Sequence, residues 1–583
     1  MKKHGFTLFL FLLSVVAIAT FKDEQEFCEN GSCNEREFDK SHFYSNVKHC
    51  GEIPLALSHK LLDALPLDEV DGNFIRTVKR CVFSESQPSP LKEPLTLAAV
   101  AQDVLHILDL NESVIQNEEF VRCVSGGKLF PGSVPLAHRY GGHQFGYWAG
   151  QLGDGRAHLL GEYTNRKGER WELQLKGSGK TPYSRAGDGR AVIRSSVREF
   201  LCSEAMHFLG VPTSRALSLV VSEEPVWRDP FYNGSVIKER GAVVLRLAKS
   251  WFRIGSLEIL TRTGELDVLR TLLDFIIKEH FKSIATKNPD KFVVFFSRVV
   301  NETAHLIAHW MSVGFAHGVC NTDNFSLLSI TFDYGPFGFM ESYDPNFVPN
   351  TSDDEGRYSI GAQADVGLFN LQKLLEALRP LLTSDQLSQF QELFKAKLGF
   401  LGNEEKDSYV IAFLLTMMEE TGADFTMTFR QLSEVTLSQL QKGSIAPSLW
   451  ALSDLSSHKH FRDWVQLYVQ RLSRLISDSD AARQHRMQGV NPRYVLRNWM
   501  AESAIRKSEK NDFSEVALLQ KTLMEPFMEQ EEAERAGYAS KPPSWAQQLR
   551  GSQTWMSSYH GLTSKVVNGK SENTTNICII TSN

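Results

Sequence analysis

A chain of 583 residues exceeds a single ordinary hydrophobic core and calls for roughly two to four packing units, separate or fused. With 42% hydrophobic and 23% charged residues and a mean hydropathy of -0.24, it is a folded protein and not a polytopic membrane protein. A formal net charge of -6 gives no bulk attraction for nucleic acid or anionic lipid, so sequence-specific DNA binding is disfavoured, although a local basic cleft is compatible with it.

Residues 1–19 read as a secretory signal peptide: Lys2-Lys3-His4 is a cationic lead, Phe6 to Ala19 is mostly apolar, and Ala17-Ile18-Ala19 offers small residues for cleavage. The run is too short for a comfortable membrane span, so no stable membrane insertion is expected after cleavage. The absence of Arg and the following Asp23-Glu24-Gln25-Glu26 argue against a mitochondrial presequence. Residues 20–60 form a charged, Cys-containing arm. Of the eight cysteines, Cys28, Cys33, Cys50 and Cys81 cluster near the N-terminus, which suggests one or two disulfides there with the pairing open. Cys28 and Cys33 lack a second Cys/His pair to complete a zinc site. Sequons at Asn30, Asn111, Asn233 and Asn301 fit secretion but also arise by chance.

Apolar spacing from Leu95 to Leu110 predicts a helix. Ala157 to Gly161 and Trp171 to Leu175 read as an antiparallel strand pair around the turn Asn165-Arg-Lys-Gly168. Val192 to Leu209 is helical by period, with Phe200, Leu201, Ala205 and Phe208 facing inward, and Gly241 to Leu247 is a strand. Leu266 to Phe281 and Phe292 to Val313 are apolar helices. After Gly314 the chain turns rich in Gly, Asn, Asp and Phe. Beyond about residue 365 it is almost wholly helical, with Leu368 to Leu378 followed by Leu387 to Leu398 behind a capping box at Thr383 and Gln386. The tail from about Ser564 is polar.

The string Gly177-Ser-Gly-Lys-Thr181 looks like a nucleotide-hydrolase phosphate loop. Yet Gln174 stands where that loop needs its first glycine, and Pro182 interrupts the helix that should follow. The more informative lysine is Lys176, at the end of the strand Trp171 to Leu175. Kinase-like folds use a strand lysine on nucleotide phosphates, a glutamate on the next helix to position it, and an earlier glycine-rich turn to cover the nucleotide. Lys176, Glu199 and Gly153-Asp-Gly-Arg156 occupy those places in order. His317-Gly-Val-Cys-Asn-Thr-Asp-Asn324 has the length of a kinase catalytic loop with Val319 in place of its aspartate, and Asp333-Tyr-Gly335 follows in the position of the magnesium-binding triplet.

With these motifs in order, the chain resembles the selenoprotein O (SelO, YdiU) family of kinase-like protein adenylyltransferases. The match runs from about residue 60 to Trp545 through Tyr140-Gly-Gly-His-Gln-Phe-Gly146, Gly150-Gln-Leu-Gly-Asp-Gly-Arg156, Leu173-Gln-Leu-Lys-Gly-Ser-Gly179, Arg194-Ser-Ser-Val-Arg-Glu199, His317 to Asn324 and Asp333-Tyr-Gly-Pro-Phe-Gly338. The resemblance implies an α+β, protein-kinase-like two-lobed fold. Its β-rich N-lobe would span 61–248 and its helical C-lobe 249–365, with an α-helical extension over 366–563 and a polar tail over 564–583. It implies that ATP binds flipped, so that AMP rather than phosphate is transferred to Ser, Thr or Tyr hydroxyls of protein substrates. Gly153, Gly155, Arg156, Lys176, Glu199, Asp188, Gly189, Arg246, Arg253 and Asp333 then fall in the ATP site. Asn324 and Asp333 supply oxygen donors for Mg2+ or Mn2+, and Asp323 is the candidate general base. A pseudokinase scaffold and, behind it, an ordinary phosphotransferase are the competing expectations.

Two features depart from the family pattern. Pro542-Pro-Ser-Trp-Ala546 is followed by Gln-Gln-Leu-Arg550 and a tail holding only Cys578, so a C-terminal redox role is not expected. The N-terminus points to the secretory pathway, whereas the resemblance alone would point to the mitochondrion. Asn324-Phe-Ser326 is formally a sequon, but a glycan there would block the site.

Overall fold

Aliphatic residues with a period-two rhythm build the centre of the protein. The computed structural model describes residues 50–549 except 52, 230–233, 383–404 and 473–478. The signal peptide, most of the arm, the Leu387–Leu398 helix with its Thr383 cap, and the polar tail lie outside the described residues. The principal sheet is antiparallel. It contains β1 (Phe83–Glu85), β2 (Leu95–Val100), β3 (Leu136–His138), β6 (Ala157–Thr164), β7 (Arg170–Lys176), β8 (Ala191–Val192), β9 (Arg215–Arg228) and β10 (Ile237–Ala248). Their order is β1-β3-β6-β7-β10-β9-β2, with β8 paired to β10. A separate hairpin joins β4 (Gly141–Gln144) to β5 (Tyr147–Gln151). The expected β6–β7 pair is present and antiparallel around the predicted turn.

Register in the middle of this sheet sets up the chemistry. Gln174 pairs with Arg246 and Lys176 with Val244 across β7 and β10. Because side chains alternate along a strand, Gln174, Lys176 and Arg246 share one face. Helix Ile193–Phe208 packs on β9 and β10, and helices Asn498–Ser508 and Ser514–Met524 pack on it in turn. It is therefore buried almost all round, Glu199 included, with Phe200, Leu201 and Ala205 inside as expected and Phe208 half-buried. Helices Leu266–His280, Lys291–Ser312 and Gln363–Leu378 fall where the apolar period placed them. Further helices follow to Arg535, around a core that includes Met417, Leu432, Leu452 and Trp464. No helix among the described residues is long and apolar enough to cross a membrane.

One expectation is corrected. The Leu95–Leu110 run is not one helix: Leu95–Val100 is a strand on β9, and only Gln102–Ile107 is helical. Leu95 and Leu97 fit either period, and sheet pairing decides between them. Cys28 and Cys33 of the N-terminal cysteine cluster lie outside the described residues, and the other two members are not joined to each other. Cys50 is bonded to Cys123, 73 residues away, while Cys81 is a buried free thiol. Closeness in sequence is no guide to closeness across a folded body.

Candidate active site

The glycine-rich turn forms part of the wall of a cleft beside the sheet. Gly153 has φ 126°, and a Cβ there would lie 2.8 Å from Tyr183 Cβ, so the turn can close over this ring only with glycine. Gly155, Arg156, Lys176, Asp188, Gly189, Arg246, Asp323, Asn324 and Asp333 line the same cleft as Gly153. Glu199 lines a smaller adjoining cavity shared with Lys176 and Arg156. Arg253 reaches the site from behind, where its guanidinium donates to the Asp323 carbonyl at 2.8 Å and to Asp333 Oδ2 at 3.2 Å. Thus all the residues singled out from sequence converge on one region.

A buried ion network forms its floor. Lys176 Nζ donates to Glu199 Oε2 and to Asp333 Oδ1, both at 2.8 Å. Arg246 Nη1 donates to Glu199 Oε1 and Asp333 Oδ1, both at 2.7 Å, and its Nε and Nη2 donate to Gln174 Oε1. Gln174 in turn donates to Asp154 Oδ2 at 3.0 Å. Burial alone would raise the Asp333 carboxyl, but Lys176, Arg246 and Arg253 outweigh it and hold the group well below the carboxylate range. Arg246 is 2% exposed and stacks over Trp251, so it is no surface charge.

The catalytic-loop segment ends in a tight turn over Thr322–Asn324. Asn324 Nδ2 donates to the Val319 carbonyl at 3.0 Å, which spends the amide nitrogen on the loop and orients the amide. His317 Nε2 lies 3.2 Å from the Phe332 carbonyl, and burial pushes its imidazole down to about 4, so it is neutral at pH 7. Burial pushes the Asp323 carboxyl up to about 7, against the opposing effects of Gln144 and Arg253. Its Oδ1 is buried with no hydrogen-bond partner among the described residues. Asn324 and the ionised Asp333 are hard oxygen donors facing one cleft, the set that suits Mg2+ or Mn2+. Among the described residues no group of three or more His, Cys, Asp or Glu could hold a metal ion, and both Asp333 oxygens accept from Lys176, Arg246 or Arg253.

The apparent phosphate loop folds as a turn returning on itself. Gly179 N donates to the Gly189 carbonyl at 3.0 Å, Ser178 bridges to Arg190, and no helix begins until Ile193. Asp188 sits at the exposed rim, paired with Arg228 at 2.7 and 2.8 Å.

Several site residues escaped sequence reasoning. Gln174 lies two residues before Lys176 and so had a strand-period signal. Asp154 sits between the two assigned glycines, and Gln144 belongs to the quoted Tyr140–Gly146 motif. Arg185 and Arg228 line the cleft with no sequence pattern to mark them.

Comparison with known proteins covers the same region. A family model described as Protein adenylyltransferase SelO matches residues 78–524. A protein named Protein nucleotidyltransferase YdiU from Azoarcus sp. (strain BH72) is 43% identical over 516 residues, covering 85% of this chain and 98% of the bacterial protein. Proteins of the same name from Xanthomonas campestris pv. campestris (strain B100) and Methylobacillus flagellatus are 42% and 41% identical, with the same coverage of both chains.

Proposed function

The chain belongs to the SelO family of protein adenylyltransferases, and from that premise we propose that it transfers AMP from ATP to Ser, Thr or Tyr hydroxyls of proteins, with ATP flipped in a two-lobed kinase-like fold. The observation that carries this is the joining of Lys176, Glu199, Arg246 and Asp333 in one buried network below a cleft that Asn324 and Asp323 also line. In-line displacement at a phosphorus needs positioning and charge neutralisation more than covalent help. Lys176, Arg246 and Arg253 supply fixed positive charge for the triphosphate. Glu199 keeps Lys176 in place, and Gly153, Gly155, Arg156, Asp188 and Gly189 form the wall that receives the nucleotide. Asn324 and Asp333 would hold Mg2+ or Mn2+, which when bound neutralises developing charge on the phosphate oxygens.

Asp323 takes the proton of the acceptor hydroxyl as its oxygen bonds to the α-phosphorus. The bond from that phosphorus to the bridging oxygen breaks, and pyrophosphate leaves. Val319, buried where a kinase has its catalytic aspartate, disfavours ordinary phosphoryl transfer. The retained Lys176–Glu199 pair disfavours an inert scaffold. We assign 61–248 and 249–365 as the two lobes and 366–563 as a helical extension. The N-terminal sequence and the Cys50–Cys123 bond support residence in an oxidising, secretory compartment.

ATP labelled separately at the α and γ positions, supplied with Mg2+ or Mn2+, tests the proposed reaction. Label from the α position is expected on acceptor protein. Transfer of γ label would sink adenylylation, and transfer of neither would return the scaffold.

A further inference from the structure

The transfer proposed above depends on Asp323 facing its acceptor in one orientation, yet a carboxylate's final torsion is broad and nearly two-fold. The β4–β5 hairpin packs directly on the loop that carries it. His143 N donates to Thr322 Oγ1 at 2.7 Å, Phe145 N donates to the Tyr358 hydroxyl at 2.7 Å, and His143 Nδ1 lies 2.6 Å from Glu258 Oε1. A Cβ at Gly142 would lie 2.8 Å from Asp323 Oδ1, so this oxygen is seated against hairpin backbone where only glycine leaves room. At the end of β4, Gln144 Nε2 donates to Asp323 Oδ2 at 3.1 Å, and Gln144 itself lines the cleft. We propose that Gln144 is a positioning residue for adenylyl transfer, acting with Gly142 to fix the plane of the Asp323 carboxylate. This inference rests on Asp323 being the base. One carboxylate oxygen is held by close packing and the other by an amide donor, so the group is set before the acceptor arrives, and the hairpin becomes part of the catalytic apparatus without touching the nucleotide's reacting phosphorus.

The test uses the full chain, α-labelled ATP and a double-mutant cycle between Gln144→Leu and Asp323→Asn. A general base contributes on the order of 10²–10⁴ in rate, so Asp323→Asn should lose about that much. Misplacing the base without removing it should lower kcat about tenfold in Gln144→Leu, with KM for ATP within about twofold of wild type. In the Asp323→Asn background the same Gln144→Leu change should cost nothing further, because its effect passes through the missing carboxylate. Gln144→Glu keeps the shape but replaces a donor with an acceptor, and should lose at least as much as Gln144→Leu. Unfolding midpoints equal to wild type verify folding for each variant. A Gln144→Leu enzyme with wild-type kcat overturns the proposal, as does an equal fold-loss in both backgrounds. Full activity in Asp323→Asn overturns the base assignment itself, a separate result from either of those.

Discussion

Arg246 makes four hydrogen bonds in the buried network, against two from Lys176. Its guanidinium bonds Glu199, Asp333 and Gln174 at once, and the side chain is almost fully buried at the edge of the cleft. Breaking a buried pair from one side strands the partner charge and costs about 3–5 kcal/mol. Arg246→Leu is therefore expected to lower unfolding free energy by about that amount in a denaturant titration. Lys176→Met should behave differently: loss of either cation leaves the other to answer both carboxylates, but only loss of Arg246 also takes both of its donors from Gln174 Oε1. It should lose less stability than Arg246→Leu while cutting adenylyl transfer on the order of 10²-fold, through lost charge on the triphosphate. Equal destabilisation by the two would contradict this division of labour. Lys176 and Glu199 were legible in sequence because strand, glycine turn and helix come in a fixed order. Arg246 was reachable only by resemblance: what brings it to the cleft is its register opposite Gln174, a pairing between strands some seventy residues apart that no local pattern encodes.

Strand β6 and the returned Gly177–Arg190 turn are joined through one histidine. His158 on β6 lies 2.7 Å from Ser178 Oγ and 3.0 Å from Ser86 Oγ, and burial pushes its imidazole down to about 3 from an ordinary 6.5. The unfolded chain binds a proton below pH 6.5 that the folded chain refuses until about pH 3. The contribution to stability is thus complete above pH 6.5 and is lost as pH falls through that window, by up to about 1.4 kcal/mol per pH unit. His280, also pushed down to about 3 by burial, adds to the same slope. Asp323 and Glu172, which burial pushes up to about 7 and about 8, act in the opposite sense over the same range. The readout is therefore the difference: from pH 7 to pH 5 the unfolding free energy of His158→Gln, whose amide can still meet both serines, should fall less, or rise more, than that of the wild type. An unchanged slope in that variant would exclude His158 as a source. Elements with long, unambiguous periods, such as Lys291–Ser312, were readable from sequence. Leu95–Ile107 was not, because its strand half owes its conformation to hydrogen bonds with β9 rather than to its own composition.

Across the whole molecule, the family match over 78–524 and the convergence of the predicted residues on one cleft concern the same body of chain. What sequence could not supply at this scale was the long-range closure by Cys50–Cys123. Closing a loop of 73 residues restricts the unfolded chain and contributes about 4 kcal/mol in the chain-entropy model. The thiols of Cys81, Cys202 and Cys320 are buried, and burial pushes each one's ionisation up, so they are poor partners for exchange. Reductant should therefore lower the unfolding midpoint in denaturant, and Cys50→Ser should show the lower value with or without reductant. Insensitivity of the wild type would mean that the bond contributes nothing. The same cross-link makes the chain between Gly51 and Arg122 a covalent lasso that carries β1 and β2. A protease that nicks this stretch once produces two polypeptides that still migrate as a single species, and the cut becomes visible only when the sulfurs are parted.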